Sequence, residues 1–150
     1  MKSSFWKSLV SGAAGAAALT ILHETARRKI DEAPHVHKFG MRGISKGLQL
    51  LGRKEPQREQ LFRWALVGDL LSNAIYYSAV GKGDSKSVWW RGALLGLSAG
   101  IGAVVLPKPL GLGEAPSNRT RATQIMTIAW YLIGGLTAAA TSKTLGNSDE

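Results

Sequence analysis

Between Arg121 and Lys143 the chain runs through 21 residues, Ala122 to Ser142, without one charged side chain. An α-helix needs about 20 apolar residues to cross a hydrocarbon core about 30 Å thick, so this stretch predicts a membrane span. Three weaker apolar runs precede it. Residues 8–22 (SLVSGAAGAAALTIL) are rich in Ala and Gly, residues 61–80 carry Asp69 and Asn73 inside an otherwise apolar pattern, and residues 88–107 begin with Trp89 and Trp90. The pattern predicts an all-α, polytopic membrane protein, a four-transmembrane-helix bundle with spans near 5–24, 60–80, 88–106 and 120–142. A signal peptide competes for the first run, because a basic start and small residues occur there. The small residues fill its middle, however, and Arg27, Arg28 and Lys29 follow as a stop to translocation, so a retained helix is the expectation.

The 30–59 stretch is too polar to span. His37, Met41, Ile44, Leu48 and Leu51 recur at spacings of three and four, which places them on one helical face. Lys38, Arg42 and Lys46 form a basic stripe on another. A basic amphipathic connector between the first two spans, lying at the headgroup level, fits both faces. Gly40, Gly43, Gly47 and Gly52 oppose it, each costing about 1 kcal/mol relative to Ala in a helix, and leave a partly ordered basic loop as the other reading. Pro56 suits the first turn of the next helix. Ser85 or Ser87, and later Ser117 or Thr120, are the expected N-caps.

Charge sets the orientation. With four spans, 13 Lys and Arg side chains fall in or near the 23–60 and 107–121 loops, against six near the termini and the 81–87 turn. Positive charge collects in cytoplasmic loops. The expectation is a bacterial inner (plasma) membrane with both termini outside the cytoplasm. Composition adds less: 45% apolar residues and a mean hydropathy of −0.02 would also suit a soluble domain. The net charge of +9 comes without any nucleic-acid motif, so anionic lipid headgroups are the expected partner. Cysteine is absent, which excludes disulfides, thiolate metal sites and Cys nucleophiles.

The chemistry-bearing residues are few. Asp69 is the most unusual, because a carboxylate near a span centre costs about 2.5–3.5 kcal/mol unless it faces the bundle interior or water. Asn73 lies one turn further along the same face. Proton relay, cation binding or substrate contact compete there with an interhelical hydrogen bond that only fixes packing. His23, Glu24 and Arg27 close the first span; HETARR lacks the second His of a zinc-protease HExxH, and a polar cap at headgroup level is the simpler reading. His35 and His37 have no third ligand, so neither a metal nor a cofactor is expected. Glu114 and Arg119, in the Pro- and Gly-rich 107–121 loop, lead toward a helix N-terminus that favours anions. Gly92, Gly96 and Gly100 repeat every four residues as a Gly-x-x-x-Gly stripe that lets another helix approach closely. Packing within the same bundle is favoured for it over a homo-oligomer interface.

The polar candidates gather at one membrane face, with Asp69 about two turns inside. Three function classes remain open. The leading one is a non-enzymatic protein that binds a polar or anionic ligand, or a protein partner in a membrane complex, through its basic cytoplasmic face. The others are a solute or proton transporter using Asp69, and a lipid-modifying enzyme using His23, Glu24 or Asp69.

Overall fold

The computed structural model describes residues 2–31, 33–35, 37–113 and 116–147, with side chains from 5 to 146. Within these residues five α-helices follow one another: α1 (Lys2–Lys29), α2 (His37–Leu50), α3 (Arg58–Ser78), α4 (Val88–Val105) and α5 (Arg121–Asn147). Short 3-10 turns lie between α3 and α4 and ahead of α5. Among the described residues three stretches are long and apolar enough to cross a membrane, Phe5–Lys29, Ser85–Val105 and Arg121–Gly146. The protein is therefore an all-α membrane protein with several spans. α3 has 21 residues, a similar length, but falls short of the others in apolar content.

The helix ends follow local chemistry. α5 starts with a reciprocal cap: Thr123 N–H donates to Thr120 Oγ1 at 3.1 Å and Thr120 N–H to Thr123 Oγ1 at 2.8 Å. This satisfies two backbone donors that a helix start leaves open. Two expectations at helix starts change. Ser87 is the N-cap residue of α4, as expected, but its side chain makes no cap bond; Asp84 caps the short turn before it by accepting from Lys86 N–H at 3.1 Å. Ser87 uses its hydroxyl otherwise, accepting from Arg91 Nη1 at 2.6 Å. Pro56 lies before the Gln57 N-cap of α3 and outside its first turn, because that helix begins at Arg58.

In packing order the four long helices run α3, α1, α5, α4, while the sequence neighbours α3 and α4 barely touch. Their link is Tyr76, whose hydroxyl donates to Leu95 O at 3.1 Å and lies 2.8 Å from Ser98 Oγ. One end of the bundle gathers the start of α1, the 79–87 turn and the end of α5, where Lys7 Nζ donates to Leu145 O at 2.7 Å. The other end carries α2 and the 107–120 loop, tied in by Ser117 Oγ to Ala103 O at 2.7 Å and Arg119 Nη2 to Asp31 O at 3.3 Å.

α3 and α4 place their buried residues in rows four apart. Leu61, Ala65, Asn73 and Tyr77 are the buried residues of α3; Val88, Gly92, Gly96, Gly100 and Val104 are those of α4. Such rows form the ridges that interdigitate when helices pack. A Cβ added to Gly92 would lie 2.6 Å from Gly135 O, and one on Gly96 or Gly100 2.8 Å from the α5 backbone. Only glycine lets the two backbones come so close. On α1, Gly15 meets Gly134 O in the same way.

Large and small residues are distributed inside out. Val67, Leu71, Ile75, Leu94, Ile101, Ile125 and Ile133 are exposed, whereas Ser8, Ser11, Asn73, Thr123 and Thr127 are buried. Water would penalise so broad an apolar exterior; lipid does not. Phe5, Trp6, Trp89 and Trp90 are exposed as well, and all lie at the end that holds the 79–87 turn. Aromatic side chains half apolar and half wet suit a membrane interface.

Candidate functional site

The opposite end holds the chemistry. α2 is helical throughout in spite of its glycines, and none of its residues is fully buried. Gly40 lies against Ala65 of α3, while Gly43 and Gly47 face open space. Two of its basic residues reach the 107–113 loop: Arg42 Nη1 donates to Leu112 O at 3.1 Å and Lys46 Nζ to Leu110 O at 3.0 Å. The loop turns its carbonyls toward them through Gly111 and Gly113, which take positive φ values of 68° and 77°, a region that side chains with a Cβ rarely enter.

Between α2, the first turns of α3 and this loop lies a basin of about 1130 Å³. Arg27, Lys38, Arg42, Lys46 and Arg58 line it together with the apolar side chains Met41, Leu61, Phe62 and Leu112. Two carboxylates, Glu55 and Glu59, share the wall, and Glu59 is paired with Arg63 at 2.7 Å. Positive charge prevails. Arg27 sits where two structures meet: its Nε donates to Glu24 Oε2 at 2.8 Å, and its guanidinium carbon lies 5.4 Å from the centre of the Phe62 ring. The imidazole of His37 packs edge-on against the same ring at 5.2 Å. Burial, then the nearby Arg27 charge, pushes the His37 pKa down to about 4, so it is neutral at pH 7. Burial and Lys38 push His35 down as well.

Deeper between α1 and α3, Thr20, His23, Glu24, Asp69 and Ala65 line a small cavity of about 20 Å³, with Arg27 and His37 at its side as well as in the basin. Asn73 Nδ2 donates to Asp69 Oδ1 at 3.0 Å and to Asp69 O at 2.9 Å. Behind them Tyr77 Oη donates to Tyr131 O of α5 at 2.7 Å. His23 is packed edge-on between Trp130 and Tyr131, at 5.2 and 5.7 Å.

The structure thus brings His23, Glu24, Arg27, Asp69 and Asn73 into one neighbourhood. It separates Arg119 from them: that side chain lines a different crevice, of about 440 Å³, with His35, Lys38, Arg42 and Asn118. Glu114 lies outside the described residues. Gly92, Gly96 and Gly100 face α5, away from either cavity. Arg58, Phe62 and Leu112 were not singled out from sequence. Their signal was available only in part, since the basic stripe on α2 predicts a charged wall but not what stands opposite.

Among the described residues no group of three or more His, Asp or Glu side chains is placed to hold a metal ion. The fold and these cavities define a small polytopic membrane protein with a basic basin at one end. Comparison with known protein families, characterised proteins and solved structures finds no match.

Proposed function

We propose that the protein binds an anionic amphiphile, a phosphate-bearing lipid headgroup with its chain, in the basin between α2, α3 and the 107–113 loop. The reading rests on the union of Arg27, Lys38, Arg42, Lys46 and Arg58 with Met41, Leu61, Phe62 and Leu112 in one concavity of about 1130 Å³. Cations alone would suit any anion. Cations over an apolar floor, at the end of a membrane bundle, suit a molecule with one charged and one greasy part. Juxtamembrane Lys and Arg gain about 1 kcal/mol each beside anionic lipid.

In this reading α3 is a fourth span. Trp64, Val67, Leu71 and Ile75 form an exposed apolar strip along it, and its one mid-helix charge, Asp69, turns to the cavity beside α1. The basin then faces the cytoplasm, with both termini on the other side, in keeping with 13 basic residues against six. α2 lies at the headgroup level as an amphipathic helix. The role is binding, with no chemical step assigned.

The test uses full-length protein in nanodiscs of phosphatidylcholine, with phosphatidylglycerol added as the probe and retained lipid read by native mass spectrometry. Phosphatidylglycerol should be retained over phosphatidylcholine, and Lys38→Ala with Arg58→Ala should weaken it roughly 30-fold, from about 1 kcal/mol per cation. Equal retention of the two lipids, or no change in the double variant, would refute the proposal.

A further inference from the structure

The small cavity between α1 and α3 poses a separate question. Two polar atoms on its wall, Thr20 Oγ1 and His23 Nε2, are buried with no hydrogen-bond partner among the described residues. His23 is only 7% exposed, so bulk water does not satisfy it. A buried polar atom left unpaired costs about 1–3 kcal/mol. The third polar wall is Asp69, whose carboxylate accepts a hydrogen bond from Asn73 Nδ2 at 3.0 Å. A volume of about 20 Å³ holds one water and little else. Such a water has three polar groups within its cage, the usual number for a buried one.

We propose that Thr20, His23 and Asp69 hold a single water and together form a proton-binding site inside the bundle. Two arrangements share the same total charge. In one the proton rests on Asp69 and His23 is neutral; in the other it has crossed the water to His23, leaving imidazolium beside carboxylate. No other atom changes place. Access is from the basin end, through the side where Arg27 and His37 line both cavities.

The surrounding charges fit a site that keeps one proton. On α1, Glu24 is held by Arg27, so this carboxylate and this cation largely cancel. From α2, His37 is neutral at pH 7. From α5 and α3, the phenols of Tyr131 and Tyr77 carry no charge, and the Tyr77 hydroxyl is committed to Tyr131 O. Asp69 and His23 are the pair left to share a proton. The site stands independently of the amphiphile reading, because none of its three groups lines the basin.

Infrared titration of the full chain in nanodiscs tests it. A titrating carboxyl band should be present in the wild type and absent in Asp69→Asn. Thr20→Val removes one anchor of the water and should raise the midpoint of that band by about one pH unit, the equivalent of one hydrogen bond to a charged group. Thr20→Ser keeps the hydroxyl and should leave the midpoint where it was. His23→Gln keeps a polar contact but cannot take the proton, and should slow hydrogen–deuterium exchange of the carboxyl roughly 100-fold. Equal midpoints in Thr20→Val and wild type, equal shifts in Thr20→Val and Thr20→Ser, or unchanged exchange in His23→Gln would each overturn the proposal.

Discussion

Gly96→Ala adds one methyl group where α4 meets α5. Its Cβ would stand 2.8 Å from Leu132 Cα and 2.8 Å from Tyr131 O. Carbon atoms are comfortable at about 3.5–4.0 Å, so the helices must part locally by about 1 Å. A gap of that size forfeits about a quarter to a half of each neighbouring dispersion contact. Overpacking in a tight interface costs about 1–3 kcal/mol. Alanine's better helix propensity returns at most about 1 kcal/mol, so the net expectation is a loss of about 1–2 kcal/mol. Gly68→Ala is the control, because nothing lies within 4 Å of its added Cβ and only the propensity gain remains. Thermal unfolding in one detergent, followed by circular dichroism, should place the two variants on opposite sides of the wild type. Size-exclusion chromatography should show unchanged assembly, since the stripe is filled by α5 of the same chain. If the two substitutions shift the melting temperature alike, the close approach of α4 and α5 is not what these glycines provide.

Other expectations concern single groups. Tyr77→Phe removes the buried hydrogen bond to Tyr131 O and should cost about 1 kcal/mol, read in the same melting assay; an unchanged melting temperature would contradict it. His37 has a folded-state pKa of about 4 against an unfolded value of 6.5. Between these values the unfolded chain holds the proton and the native chain does not, so stability is complete above about pH 6.5 and declines as the pH falls toward 4. Hydrogen exchange across α2 should accelerate over that window, and His37→Gln should flatten the response. Reporter fusions after Glu59 and after Lys108 should read as cytoplasmic and one at Glu150 as external, with any other pattern refuting the four-span arrangement.

The uninterrupted run before Lys143 and the Gly-rich run after Trp90 make α5 and α4 visible in the sequence. Both are apolar over the length that lipid demands, whatever they pack against. α2 is harder, because Gly40, Gly43 and Gly47 argue against the helix that its apolar and basic periodicities suggest. Its ordering comes from outside its own sequence, through Gly40 against Ala65 and through Lys46 and Arg42 bound to loop carbonyls. The neighbourhood of Asp69 was legible along α3, where Asn73 is one turn away. Thr20 gave no signal, since one hydroxyl in an Ala-rich run satisfies itself in most helices by bonding the preceding turn. The basin was only half visible: Lys38, Arg42 and Lys46 mark one wall, but Arg58 and Phe62 of α3 and the 110–112 carbonyls meet it through contacts that no sequence spacing shows.

The packing order α3, α1, α5, α4 also has a temporal meaning. α1 is flanked by α3 and by α5, both of which follow it in synthesis. Until α5 emerges, α1 presents the face that carries His23 to whatever surrounds it, although in the finished fold Trp130 and Tyr131 of α5 shield it. A polar face of this kind is poorly tolerated by acyl chains. α1 must therefore linger beside a protein surface, and this side of the bundle can close only once α5 has been made.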